Sequence, residues 1–221
     1  MLKGVVFDFD GVIVDSHPVH KRSWKRFLNS LGRTVSEEQL QFVLDGRKRE
    51  EILRHFLGEL DSKQISEYGH RKEEIFRDEA EDTQSLDGLT IFLENLACAH
   101  LALGVASAGS RSRVAFLLDR LALRKYFRVV VTGDEVARGK PDPAVFLKAA
   151  QELRITPSEL MAFEDAESGV RAARSAGMRC IGIAPADRAP ALLGAGASFV
   201  VPDFRSLSYS KLLELLPDCA A

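Results

Sequence analysis

The chain has 221 residues, 46% hydrophobic and 28% charged, with 16 Gly and 8 Pro, which is ordinary globular usage and excludes collagen, low-complexity disorder and an acidic solvating tail. Thirty Lys and Arg against 32 Asp and Glu leave a formal charge of -2, so there is no whole-chain basic field and no nucleic-acid partner is expected. The apolar stretch 96–108 carries His100 and Asp8 and Asp10 cut the N-terminal apolar run, so neither a bilayer span of ~18 residues nor a signal peptide is expected.

The length suits one large domain, or one with a smaller domain set into it. Cys98, Cys180 and Cys219 form no CxxC pair and are odd in number. That usage suits a reducing compartment, and the expectation is a soluble cytoplasmic protein, monomeric or weakly dimeric.

In chain order, residues 4–9 are β-branched and aromatic and end in acids and Gly11, so they read as a buried strand. Over 17–82 apolar residues recur at helical spacing: Trp24, Phe27, Leu28 and Leu31, then Leu40, Val43 and Leu44, then Ile52, Leu53, Phe56 and Leu57. Pro18 sits in a first turn, Gly32 and Gly58 mark stops, and Ser36 with Gln39 forms a capping box. The stretch predicts a small all-helical insert.

Regular alternation follows Gly88. A helix over 89–98 precedes a strand over 101–107. A helix with Val114, Leu117, Leu118 and Leu121 on one stripe leads to a strand over 129–132. A helix from Pro143 precedes a strand over 160–164, a helix ending at Gly177 precedes 180–183, and a last strand over 198–201 precedes a helix through Leu215. Strands alternating with helices predict parallel βαβ units, hence an α/β core of residues 1–16 and 83–221 interrupted by a helical domain at 17–82.

Ligands of such sheets bind beyond the carboxyl ends of the strands. The first strand delivers Asp8 and Asp10, which point the same way in extended chain. The second delivers Ser107, with Ala108, Gly109 and Ser110 opening a helix N-terminus suited to an anion. Lys140 follows the third, and Glu164 and Asp165 the fourth. Carboxylates so crowded repel, and a divalent cation together with Lys140 would offset them. Hard oxygen ligands suit Mg²⁺ open to a phosphate.

The segments Asp8-Phe-Asp-Gly-Val-Ile-Val-Asp-Ser16, Ser107 after its strand, Gly139-Lys-Pro-Asp-Pro143 and Phe163-Glu-Asp-Ala-Glu-Ser-Gly169 resemble, in order and spacing, the four motifs of the haloacid dehalogenase superfamily. The place of the insert resembles the helical cap of its β-phosphoglucomutase-like phosphatase branch. The resemblance implies a Rossmann-like core with Asp8 as nucleophile forming an aspartyl phosphate and Asp10 as general acid and base. It implies Mg²⁺ held by the Asp8 carboxylate, the Asp10 carbonyl and Asp165, with Glu164 reaching it through water. Ser107 and Lys140 would bind the transferring phosphoryl oxygens. Asp10 also sets the chain apart from the carbon–halogen members, which lack an acid at that position.

In the insert His20, Arg49 and Lys72 resemble the sugar-phosphate mutase pattern, in which His and Lys sit over the sugar and Arg grips a second phosphate. The alternative is that His20 and Arg49 belong to solvated basic faces. Where the mutase has Ser-Lys-Asn, this chain has Gly109-Ser110-Arg111, with Arg111 left to compensate. The expected function is therefore a phosphatase acting on a small phosphorylated metabolite such as a sugar phosphate, ahead of a β-phosphoglucomutase-type mutase. A receiver-like phospho-acceptor is a non-enzymatic rival that lacks the insert and the second Asp. All five His precede Ser107, against a Ser…Asp…His hydrolase. No P-loop, GxGxxG or zinc spacing is present.

Overall fold

The computed structural model describes residues 1–215. Six parallel strands form one sheet in the order β3-β2-β1-β4-β5-β6. They are β1 (Gly4–Phe7), β2 (Ala102–Ala106), β3 (Val129–Val131), β4 (Leu160–Glu164), β5 (Arg179–Ile183) and β6 (Phe199–Val201). The order runs outward from β1 to β3, then returns to the other side of β1 for β4. Between β1 and β4 the direction of winding reverses, which opens a crevice at the carboxyl ends of those two strands.

The central strands β1, β2, β4 and β5 are buried on both faces, which is why their sequences read as continuous apolar runs, whereas the edge strand β6 is half-buried throughout. Val5 and Phe7 of β1 point into one apolar cluster with Met161 and Phe163 of β4, whereas Val6 and Ala162 point into another. Phe7 lies at the centre of the first cluster. Its ring stacks on Phe163 at 5.1 Å and meets Phe92 and Phe127 edge-on.

The first strand is shorter than expected, ending at Phe7 rather than Phe9. The Asp8 N–H still donates to Phe163 O at 2.9 Å, but the chain then turns, and the Ile13 and Val14 amides return to Phe9 O. Asp8 and Asp10 therefore lie beyond the strand rather than in it, and both line one cleft.

Between β1 and β2 lie α1 (His17–Asn29), α2 (Arg49–Leu57), α3 (Ser62–Glu79) and α4 (Leu89–Cys98). Trp24, Phe27, Leu28, Leu40, Val43, Ile52 and Leu53 form a third apolar cluster apart from the sheet. The capping box at Ser36 and Gln39 is present, with reciprocal bonds of 2.9 and 3.2 Å, but it opens a 3₁₀ helix, Gln39–Leu44. Gly58 ends α2 at φ 82°. Val19, Phe76 and Ala80 join the cluster on the sheet instead, so the helical segment is rooted in the core at both ends. Those ends meet: Val14 bridges Ser85, and the Asp15 N–H donates to Gln84 O at 3.0 Å.

The second half follows the expected alternation through α5 (Arg111–Arg120), α6 (Ala144–Leu153), α7 (Glu167–Ser175), α8 (Ala189–Ala195) and α9 (Tyr209–Leu215). Among the described residues no helix is long and apolar enough to cross a membrane. Cys98 is exposed and Cys180 buried, both as free thiols; Cys219 lies outside the described residues.

Truncating the ring at the centre of the sheet should be expensive. Phe7→Ala is expected to cost about 3–5 kcal/mol in urea unfolding, the range for a buried aromatic; a loss below ~1 kcal/mol would mean that the site collapses around the missing ring.

Candidate active site

The register Phe7↔Phe163 sets Asp8 beside Glu164 at the mouth of the crevice. Lys140, from the loop between β3 and α6, is 1% exposed and reaches across both. Its Nζ donates to Asp8 Oδ1 and, at 2.5 Å, to Glu164 Oε1. Burial would push a lone ammonium's pKa down; the two carboxylates outweigh it and hold Lys140 above the usual lysine value. Glu164 Oε2 accepts the N–H groups of Asp165 and Ala166 at 2.8 and 3.0 Å. Ser107, fully buried just past β2, accepts the Gly109 N–H on Oγ at 3.0 Å.

Oxygens of Asp8, Glu164 and Asp165 lie within 4.8 Å of one another. Burial raises the Asp8 pKa; Lys140 opposes this, and the neighbouring carboxylates leave it well above the usual carboxylate range. Positive charge is in deficit there. Asp165 Oδ2 is buried and accepts no hydrogen bond, although His17 Nε2 stands 3.1 Å away. Gly11, at φ 76°, keeps the adjoining space clear, since a Cβ on it would lie 2.6 Å from that oxygen. An orphaned carboxylate oxygen, surplus negative charge and an all-oxygen donor set fit a hard divalent cation such as Mg²⁺.

The Asp10 side chain takes no part in this cluster. It turns to Arg113, whose Nη1 and Nη2 donate to Oδ1 and Oδ2 at 2.7 and 2.8 Å in a bidentate pair. Ser16 Oγ donates to Oδ1 at 2.6 Å, and His20 Nε2 lies 3.1 Å from the same oxygen. Burial would raise the Asp10 pKa, but Arg113 and His20 outweigh it and hold the carboxyl well below the usual range.

The insert supplies the opposite wall. His20, Arg49 and Lys72 all line the cleft with Asp8, Asp10, Ala108 and Gly109; His20 and Lys72 are buried there, and Arg49 is half-buried at its edge. Burial, then Lys72 and Arg113, push His20 down to about 3, and burial against the pull of Glu73 brings Lys72 to about 7. The imidazole is therefore neutral; its Nε2 lies 3.1 Å from Asp10 Oδ1 and 2.5 Å from Arg113 Nη1, and its Nδ1 lies 3.4 Å from Lys72 Nζ. The void between the walls is about 50 Å³, room for a few waters. Lys48 Nζ to Val136 O at 2.7 Å and Ser168 Oγ to Asp45 O at 2.5 Å tie the insert to the core.

Arg111 does not line the cleft. Its side chain is 62% exposed and pairs with Glu135 at 2.9 Å, while its N–H donates to Asp134 Oδ2 at 2.9 Å. The start of α5, expected to cradle an anion, is thus occupied by the protein's own Asp134 and by Ser110, which caps the Arg113 N–H at 3.4 Å. Arg113 stands two residues on, ~200° round the helix, and it is the cation that reaches Asp10. The reading of charge balance from Lys140 and a metal alone therefore missed Arg113, His17 and Glu73. One signal existed: Arg113 precedes Leu117 by one helical turn on the buried stripe, and Glu73 falls between Gly69 and Phe76 on the buried stripe of α3.

A buried neutral histidine leaves a mark on stability. The unfolded chain takes up the His20 proton near 6.5 whereas the folded chain resists until about 3, so this residue makes stability fall with pH across that window. His20→Asn should lose less stability than wild type on acidification, followed by urea midpoints; parallel curves would mean that the imidazole is charged or exposed.

With this geometry in view, residues 5–183 match the haloacid dehalogenase-like hydrolase family. The chain is 33% identical over 209 residues to the phosphorylated carbohydrates phosphatase of Thermotoga maritima, covering 90% of this chain and 94% of that one. It is 33% identical to the β-phosphoglucomutase of Bacillus subtilis over 191 residues, 82% of this chain and 83% of the other. In fold it matches the crystal structure of β-phosphoglucomutase from Clostridium difficile with a TM-score of 0.89 at 22% identity, over 99% and 98% of the two chains. The chain belongs to the haloacid dehalogenase-like hydrolase family, as an enzyme with phosphatase or phosphomutase activity.

Proposed function

We propose that the chain is a Mg²⁺-dependent phosphatase that hydrolyses a small sugar phosphate through an aspartyl phosphate on Asp8. The observation that carries the reading is the junction of Asp8, Lys140 and Glu164 beside the buried Oδ2 of Asp165, 3.1 Å from His17, at the switch point of the sheet. A Mg²⁺ ion held by the Asp8 carboxylate, the Asp10 carbonyl and Asp165, with Glu164 behind a water, would supply positive charge to the phosphoryl oxygens.

An Asp8 oxygen attacks phosphorus in line as the bond to the leaving oxygen breaks, and Asp10 gives that oxygen a proton. Water then attacks the phosphorus of the aspartyl phosphate, Asp10 takes its proton, and the Asp8 carboxylate and inorganic phosphate are released. Lys140 and the Ser107 hydroxyl offset charge gathering on the phosphoryl oxygens. For Asp10 to carry a proton, Arg113 must first release it, because the bidentate pair holds the carboxyl ionised.

Residues 17–82 act as a cap on the core of 1–16 and 83–221, with His20 and Lys72 over the substrate. A cap that draws back would admit the substrate and, on closing, exclude water. A phosphomutase is the second reading, favoured by His20, Lys72 and Arg49 lining one cleft; there a sugar hydroxyl replaces water as the second attacking group.

Asp8→Asn should abolish phosphate release at saturating Mg²⁺ with an unchanged circular dichroism spectrum; retained turnover would put the nucleophile elsewhere. Asp10→Asn should slow turnover by ~10² or more, and a change of a few-fold would assign proton transfer to another group. Chelation by EDTA should stop phosphate release and added Mg²⁺ restore it; activity indifferent to both would contradict a metal-dependent site.

A further inference from the structure

The cleft contains a carboxylate that the reaction above does not use. Glu73, on α3 and 8% exposed, lines the same cleft as Asp8 and Asp10. Its Oε1 lies 3.6 Å from Arg49 Nη1, and its Oε2 lies 4.0 Å from Arg113 Nε. Neither Glu73 Oε2 nor Arg113 Nε has a hydrogen-bond partner, though both are buried. A buried acceptor and a buried donor left unmade within reach of one cavity point to a group that arrives from outside.

The placement of Arg49 against Glu73 is built into the helix. Gly69 lies one turn before Glu73 on the buried face of α3, and a Cβ on it would come within 2.7 Å of Arg49 Nε. The missing side chain lets the guanidinium lie flat on the helix beside the carboxylate. Burial would raise the Glu73 pKa, but Lys72, Arg113 and Arg49 outweigh it and keep the group ionised. The arginine best placed to grip a distant phosphate is thus already countered by an anion of the protein itself.

An ionised carboxylate with a free oxygen only accepts hydrogen bonds, and a sugar or polyol hydroxyl is a donor that satisfies it. A second phosphate on Arg49 would instead bring negative charge against a buried negative group, an arrangement that excludes partners strongly. Resting on the sugar-phosphate reading above, we propose that Glu73 is a specificity-determining residue that accepts a hydroxyl of the substrate and bars a second phosphate. The substrate class is then a polyhydroxylated monophosphate ester, and bisphosphorylated sugars are excluded.

The test compares kcat/KM of the full chain with Mg²⁺ on three kinds of substrate: p-nitrophenyl phosphate, a panel of sugar and polyol monophosphates, and the matching bisphosphates. In wild type the best monophosphate should exceed every bisphosphate by ~10² or more. Glu73→Gln keeps the shape and removes the charge. Relative to p-nitrophenyl phosphate, it should raise bisphosphate hydrolysis at least ~10-fold and lower that of the best monophosphate by a similar factor. A wild type that uses a bisphosphate as well as its best monophosphate overturns the proposal, and this arm needs no folded variant. So does a Glu73→Gln enzyme, folded by circular dichroism, in which all three kinds change together. If wild type turns over monophosphates but lacks the predicted ratio, only the role of Glu73 falls. If it turns over none of the three, the phosphatase reading falls with it.

Discussion

The buried ammonium of Lys140 is the contact on which the arrangement of the site depends. It joins the end of β1 to the end of β4 by donating to Asp8 and Glu164 at once, at the place where the sheet changes its direction of winding. Two adjacent carboxylates would otherwise force each other apart or take up protons. The ammonium between them lowers both carboxyl pKa values but does not cancel the effect of burial, so Asp8 and Glu164 stay above the usual range, and the buried Asp165 Oδ2 beside them has His17 Nε2 3.1 Å away. A loop from the far side of the sheet thus fixes the geometry of two neighbouring strands.

A second balance of charge faces the first across the cleft. Asp10 and Glu73 are the anions, and Arg113, Lys72 and Arg49 the cations, with His20 neutral among them. Arg113 connects the halves, since it grips Asp10 from the core and stands over Glu73 and the Phe76 ring of the insert. Within this partly buried set the charges are coupled, so removing one changes the state of the others. That interdependence makes the wall of the cleft sensitive to what enters it.

Much of this was legible along the chain. Strands buried on both faces announce themselves as short apolar runs, and the acids, serine and lysine just past them fell where chemistry was expected. His20, Arg49 and Lys72 also came to the cleft. The misreadings have physical causes. The first strand reads two residues too long because Phe9 is apolar, although its carbonyl accepts the Ile13 and Val14 amides of the following turn. Arg111 was read for Arg113 because the first residue of α5 sets which side chain faces inward, and a shift of two residues turns it to the opposite side. Glu73 stood inside a charged run, and only packing of α3 against α1 and α2 distinguishes it from its exposed neighbours.

The helical insert leaves and rejoins the core through segments that touch, with Val14 bridged to Ser85 and Asp15 bonded to Gln84. Its two stems are therefore close enough for another module of different size to be spliced in without rethreading any strand. On the function proposed above, chemistry and recognition would reside on separable pieces of chain, so that one scaffold could be refitted for new metabolites by exchanging what is carried on that pair of stems, while the acids and the lysine beneath stay untouched.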